Sequence, residues 1–131
     1  MTEPLWLTEA EVLAAHQVQI EDHGGAHGVR DIGLLQSALF RPQNRFAYEK
    51  PTLYDLAASY AFGLARNHPF IDGNKRTAFI ACYAFLRING IRLIADEGDV
   101  VRVFVDLAAG TIDEIALAKW IEANAEPVER E

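Results

Sequence analysis

Hydrophobic residues recur along most of this chain at the spacing of amphipathic helices. In residues 52–67 they fall three and four positions apart, which places them on one side of a helix. Residues 78–86 differ, because all nine are apolar. Polar helix-forming residues flank this run, and the whole segment is too long for a strand. The sequence therefore predicts that residues 74–88 form a central helix surrounded by the others.

Capping and chain-breaking residues predict where the helices begin and end. Thr or Asp stands before five of the six helical patterns, and a Glu or Asp three residues after a Thr gives the spacing of a capping box. The predicted N-caps are Thr8, Asp31, Thr52, Asp96 and Thr111. Residues 91–95 can form a short extended segment. The pattern indicates an all-α fold, a compact bundle of about six helices.

The bundle is predicted to be a single domain over residues 1–131, with a frayed tail at 125–131. Residues 41–51, "RPQNRFAYEKP", are flanked by prolines and lack a helical period. Since the residue before a proline disfavours helix, we expect the second helix to end before Arg41-Pro42. Residues 41–51 then form a small exposed flap loop.

Composition and charge narrow the class of protein. Half of the residues are hydrophobic, 24% are charged and the net charge is −7, which is typical of a soluble globular protein and gives no electrostatic basis for direct nucleic-acid binding. The longest apolar run has nine residues, about half of a membrane-spanning helix. Cys82, the single cysteine, lies in that run, so we expect a buried thiol and a cytoplasmic protein.

The segment "HPFIDGNKR", residues 68–76, carries the candidate chemistry. It is predicted to connect two helices and to open the second. A helix N-terminus presents unpaired backbone N–H groups and a partial positive charge, which bind anions. Gly73 allows a ligand to approach the backbone. Lys75 and Arg76 oppose the helix dipole at this end, and a bound polyphosphate would reverse that cost.

Other side chains in this segment suit phosphate chemistry. Asp72 is a hard oxygen ligand for Mg²⁺, and Asn74 can donate to a phosphoryl oxygen. Arg76 can grip phosphate with two hydrogen bonds, and His68 can accept a proton from a hydroxyl group. Each residue also has a purely structural interpretation as a helix cap or a solvated side chain. Their combination in one loop favours an anion site. The other three histidines, His16, His23 and His27, are expected on the surface without a metal.

These residues resemble the signature loop of the Fic/Doc superfamily, and specifically its death-on-curing toxin branch. The segments "GVRDIGLLQSALFRPQ" at 28–43 and "FLRINGIRL" at 85–93 resemble the same branch. The resemblance implies a compact helical fold that binds a nucleoside triphosphate at this loop. The flap at 41–51 would align a target segment by backbone pairing.

The resemblance also implies roles for the loop residues. His68 would activate a target hydroxyl, and Asp72 would hold Mg²⁺. Asn74 and the backbone at Gly73 would form an anion cradle, with Arg76 on the phosphates. We therefore expect ATP and Mg²⁺ to bind here.

Two positions separate this chain from the AMP-transferring members. Those members carry Gly where this chain has Lys75, and a second Arg where it has Phe79. Lys is found at the former position in the death-on-curing branch, which implies a kinase that transfers the γ-phosphate of ATP to a hydroxyl of elongation factor Tu and arrests translation. A toxin of this kind is inhibited by a cognate antitoxin. AMP transfer and a non-catalytic partner-binding module remain the alternatives.

Overall fold

The computed structural model describes residues 2–128, which form six α-helices and one small antiparallel sheet. The all-α fold is thereby confirmed. The elements in chain order are α1 (Glu9–His23), α2 (Ile32–Tyr48), α3 (Leu53–Asn67), α4 (Asn74–Ile88), β1 (Ile91–Leu93), α5 (Glu97–Ala109), α6 (Glu114–Ala123) and β2 (Ala125–Pro127). No helix in this described part is long and apolar enough to cross a membrane.

The central helix is α3, and the prediction that α4 holds this place is wrong. Helix α3 packs against α2, α4, α5 and α6, and nine of its fifteen residues are buried. Its small residues allow this close packing, since a Cβ added at Gly63 would lie 3.1 Å from the Cα of Ala38 in α2. The apolar run in α4 is buried on one side only, and Tyr83 is 37% exposed.

The N-terminal caps follow the sequence for four of the six helices and differ for α4 and α6. Thr8 and Thr52 form complete capping boxes, and Asp31 and Asp96 cap α2 and α5. Helix α6 begins later than expected, because Asp113 accepts from the backbone N–H of Ala116 and is its cap. The predicted cap Thr111 instead donates its hydroxyl to the carbonyl of Asp106 in α5. Helix α4 has no side-chain cap, so neither Asp72 nor Asn74 serves as one, and Gly73 is its N-cap residue.

Helix α2 continues through Pro42 to Tyr48, so the predicted flap loop at 41–51 is wrong. A proline inside a helix removes one hydrogen bond and costs about 3 kcal/mol. Two interactions offset this cost. Pro42 is buried in the interior. Arg41, directly before it, and Arg45, three residues after it, both pair with Glu114 of α6. The loop between α2 and α3 shrinks to residues 49–52.

The chain after α6 forms β2, which contradicts the predicted fraying for residues 125–127. Ile91 pairs with Pro127 and Leu93 with Ala125 in an antiparallel register, so the predicted extended segment at 91–95 is confirmed for β1. The backbone N–H of Val128 then donates to the carbonyl of Gly90 at 2.8 Å. Residues 129–131 lie outside the described part.

Glu114 connects α6 to the two helices beneath it. Its carboxylate accepts from Arg41, from Arg45 at 2.7 Å and from the hydroxyl of Ser59, which is fully buried in α3. The Glu114 side chain is only 12% exposed. Cys82 is also buried, as predicted, and burial raises the pKa of its thiol to about 12. The thiol is therefore neutral and unreactive at physiological pH.

We predict that Glu114→Gln lowers the free energy of unfolding by about 2 kcal/mol, because it removes the counter-charge of Arg41 and one of the two carboxylates paired with Arg45 at a largely buried position. Denaturant unfolding of the variant measures the effect. Glu122→Gln is the matched control, because Glu122 is exposed on the same helix. Equal stability of the two variants would contradict a structural role for Glu114.

Candidate functional site

His68 ends α3 in a backbone conformation that side chains rarely adopt. Its φ of 50° and ψ of 54° place it in the left-handed region, and no other non-glycine residue in the described chain has a positive φ. This conformation costs a residue with a side chain about 1 kcal/mol or more. The imidazole is exposed to solvent. A strained backbone that presents a reactive group is typical of functional sites.

Residues 28–31 hold this strained segment in place. The carbonyl of Pro69 accepts from the backbone N–H groups of Arg30 and Asp31, and the N–H of Ile71 donates to the carbonyl of Gly28 at 3.1 Å. The Arg30 guanidinium donates to the carbonyls of His68 and Asn67 at 2.8 and 2.9 Å. These bonds satisfy the carbonyls at the end of α3. Sequence analysis missed Arg30, since a lone surface arginine gives no such signal.

Asn74 closes the turn between the two helices. Its side-chain oxygen accepts from the backbone N–H of Phe70, and its amide nitrogen donates to the carbonyl of the same residue, both at 3.0 Å. Phe70 itself is buried and anchors the turn in the core. The amide nitrogen of Asn74 carries a second N–H, which these two bonds do not use.

The N-terminus of α4 carries positive charge and lacks a side-chain cap. Gly73 is its N-cap residue at a φ of 76°, and no side chain accepts from the first turn of the helix. Lys75 and Arg76 follow in that turn and are exposed. Neither forms an ion pair with residues 2–128. Backbone donors and two cations thus converge where an anion binds well.

Asp72 supplies one carboxylate beside this helix end. Its Oδ1 accepts from the N–H of Gly73 at 2.9 Å, and its Oδ2 accepts from the N–H of Ala26 at 3.3 Å. Two of about four acceptor positions on the carboxylate are thereby used, and the side chain is exposed. One oriented carboxylate fits Mg²⁺, which is commonly held by one or two protein oxygens together with phosphates and water. No cluster of three metal-binding side chains occurs among the described residues.

His16 is buried against this loop, so the prediction of a surface histidine is wrong. It is 4% exposed, its ring stacks on Phe70 with centroids 3.8 Å apart, and its Nε2 lies 2.8 Å from the carbonyl oxygen of Asp72. A signal was present in the sequence, because Val12, His16 and Ile20 are spaced by four and share one face of α1. His23 and His27 are exposed, as predicted.

Gln19 explains why position 73 is glycine. The side chain of Gln19 is 2% exposed, and its amide nitrogen donates weakly to the carbonyl of Gly73 at 3.4 Å. A Cβ added at position 73 would lie 1.9 Å from that nitrogen and 3.1 Å from Cδ1 of Ile20. The buried amide has little room to move aside. Gly73 is therefore matched to the long side chain at position 19.

We predict that Gly73→Ala destabilises the protein through two separable effects. The left-handed backbone costs about 1–2 kcal/mol with a Cβ, and the overlap with Gln19 costs about 1–3 kcal/mol more. Adding Gln19→Ala should recover the second effect alone. A double-mutant cycle of unfolding free energies measures the coupling. Strictly additive effects of the two substitutions would show that the side chain of Gln19 does not restrict position 73.

Known proteins resemble this chain over most of its length. The Fic/DOC family model matches residues 6–86. The chain is 43% identical over 120 residues to a protein of Mycolicibacterium smegmatis named Toxin Doc, a match that covers 88% of this chain and 82% of that protein. It is 35% identical over 113 residues to the Protein kinase doc of Escherichia phage P1, with 86% and 89% of the two chains covered.

Proposed function

The chain belongs to the Fic/DOC family, and on that premise we propose that it is a toxin with kinase activity, which transfers the γ-phosphate of ATP to a Ser or Thr hydroxyl of a translation factor. One observation carries the proposal. The exposed imidazole of His68 ends α3 in a strained conformation, and six residues later the uncapped, cationic N-terminus of α4 begins. A proton acceptor and an anion site are thus built into one turn.

In the proposed reaction His68 acts as the general base. Its imidazole removes the proton from the target hydroxyl, whose oxygen attacks the γ-phosphorus of ATP. The bond between the γ-phosphorus and the bridging oxygen breaks, and ADP leaves with that bonding electron pair. The products are a phosphorylated side chain, ADP and one proton, which His68 releases to solvent.

The first turn of α4 binds the phosphates in this proposal. The backbone N–H groups that follow Gly73 donate to phosphate oxygens, while Lys75 and Arg76 compensate their charge. Asn74 holds the turn with its side chain, and its backbone N–H and second amide N–H can donate to phosphate oxygens. Asp72 would hold Mg²⁺, and the ion when bound would neutralise charge on the phosphates.

Two residues favour γ-phosphate transfer over AMP transfer. Lys75 adds a cation at the helix end, where AMP-transferring relatives have glycine. Phe79 stands where those relatives have a second arginine, and here it packs edge-on against Phe104 of α5, with ring centroids 5.5 Å apart. Position 79 thus takes part in an apolar contact and offers no charge to a nucleotide. The name Protein kinase doc of the phage relative supports the same assignment.

We propose elongation factor Tu as the target, and a cognate antitoxin as the inhibitor, in the cytoplasm where both ATP and translation factors occur. The name Toxin Doc of the mycobacterial relative supports a toxin. Residues 41–48 are helical and do not form a flap. We therefore assign alignment of the target segment to residues 28–31, which pair with the loop at residues 69–71. Val29 and Ile32 are exposed there and can contact a target segment.

We predict that ATP labelled at the γ-position, and not at the α-position, labels purified elongation factor Tu in the presence of Mg²⁺. His68→Ala should reduce the rate at least 100-fold, the usual contribution of a general base. His23→Ala is the matched control, because His23 is an exposed histidine outside the loop.

Label from the α-position would show AMP transfer instead. A cell extract can replace elongation factor Tu to reveal a different target. If the His68→Ala variant folds and still inhibits growth as strongly as the parent protein, the activity does not need this site, and a non-catalytic binding module becomes the better explanation.

A further inference from the structure

The peptide unit that joins Asp72 to Gly73 is fixed at both of its polar ends. Its carbonyl oxygen lies 2.8 Å from Nε2 of His16. Its N–H donates to Oδ1 of Asp72 at 2.9 Å. A carbonyl can only accept, so Nε2 of His16 carries the hydrogen in this bond. The orientation of this peptide also sets the direction in which the Asp72 carboxylate leaves the backbone.

The ring of His16 fixes a second point of the same loop. It lies parallel to the ring of Phe70, with an interplanar angle of 6° and centroids 3.8 Å apart. Phe70 is itself tied to Asn74 through both backbone polar groups. His16 therefore contacts the loop at two points, the ring of Phe70 and the carbonyl of Asp72.

We propose that His16 is a positioning residue, which through its hydrogen bond to the Asp72 carbonyl fixes the Asp72 carboxylate in the orientation in which it would hold Mg²⁺. This inference rests on the proposed function. His16 does not touch the reacting atoms in this account, because it is buried behind the loop. Its effect passes through Asp72 and therefore concerns the metal-dependent part of nucleotide binding.

Two substitutions separate the hydrogen bond from the ring. His16→Phe keeps a flat ring that can stack on Phe70 but has no N–H donor. His16→Gln lacks the ring but carries an amide N–H at a similar distance from the backbone. If the hydrogen bond orients Asp72, His16→Phe should lose the effect of Mg²⁺ on nucleotide binding and His16→Gln should keep it. If ring packing is what matters, His16→Phe should keep the effect and His16→Gln should lose it.

The experiment is calorimetric titration with a non-hydrolysable ATP analogue, with Mg²⁺ and with a chelator. The parent protein should bind more tightly with Mg²⁺. For His16→Phe we expect the metal-free Kd to stay within about twofold and the tightening by Mg²⁺ to fall at least fivefold. For His16→Gln we expect Mg²⁺ to lower the Kd of the analogue by most of the factor seen in the parent protein. General loosening of the fold would weaken binding under both conditions alike.

The outcomes separate this inference from the proposed function. A parent protein that binds no nucleotide would contradict the proposed function itself. A parent protein whose binding is tightened by Mg²⁺, together with an unchanged tightening in His16→Phe, would overturn the role of His16 alone. If His16→Phe does not fold, His16→Gln decides, since loss of the tightening in that folded variant would overturn the role of the hydrogen bond.

Discussion

The pairing of residues 28–31 with residues 67–71 is the constraint on which the site depends. Arg30 binds the last carbonyls of α3, and the backbone beside it binds Pro69 and Ile71. These bonds hold His68 in a conformation that an isolated chain would avoid. Without them the turn could relax, and the imidazole would lose its fixed place before α4.

The same turn leaves the N-terminus of α4 without a side-chain cap, although four other helices have an Asp or Thr cap predicted from the sequence. With Gly73 as its N-cap residue, α4 lacks the stabilisation that a side-chain cap provides. Lys75 and Arg76 add positive charge, which is unfavourable at a helix N-terminus. A sequence that breaks local rules at one helix end and obeys them elsewhere supports the proposal that this end binds an anion. The family match is consistent with that proposal.

Local signals carried most of the fold prediction, and tertiary contacts decided the rest. Capping boxes at Thr8 and Thr52 depend on residues three apart, so the sequence reveals them. Where α2 passes through Pro42, Arg41 and Arg45 pair with Glu114, about seventy residues away along the chain, and no local pattern contains that contact. The pairing of β2 with β1 is likewise invisible before the fold is known.

The candidate site likewise combines residues that the local sequence reveals with residues that only the fold reveals. The loop residues His68, Asp72 and Arg76 stand out because their chemistry is concentrated in one short segment. The residues that support them, His16, Gln19 and Arg30, are distant in sequence and act from behind or beside the loop. Only the packing of α1 and residues 28–31 against the turn brings them into contact with it.

Amide NMR spectra of the ¹⁵N-labelled protein can show whether polyphosphate binds at the start of α4. Addition of a non-hydrolysable ATP analogue with Mg²⁺ should shift the backbone amide signals of residues 73–76 more than those at the start of α5, where Asp96 caps the helix. Shifts confined to other parts of the molecule, or none at saturating nucleotide, would contradict the account.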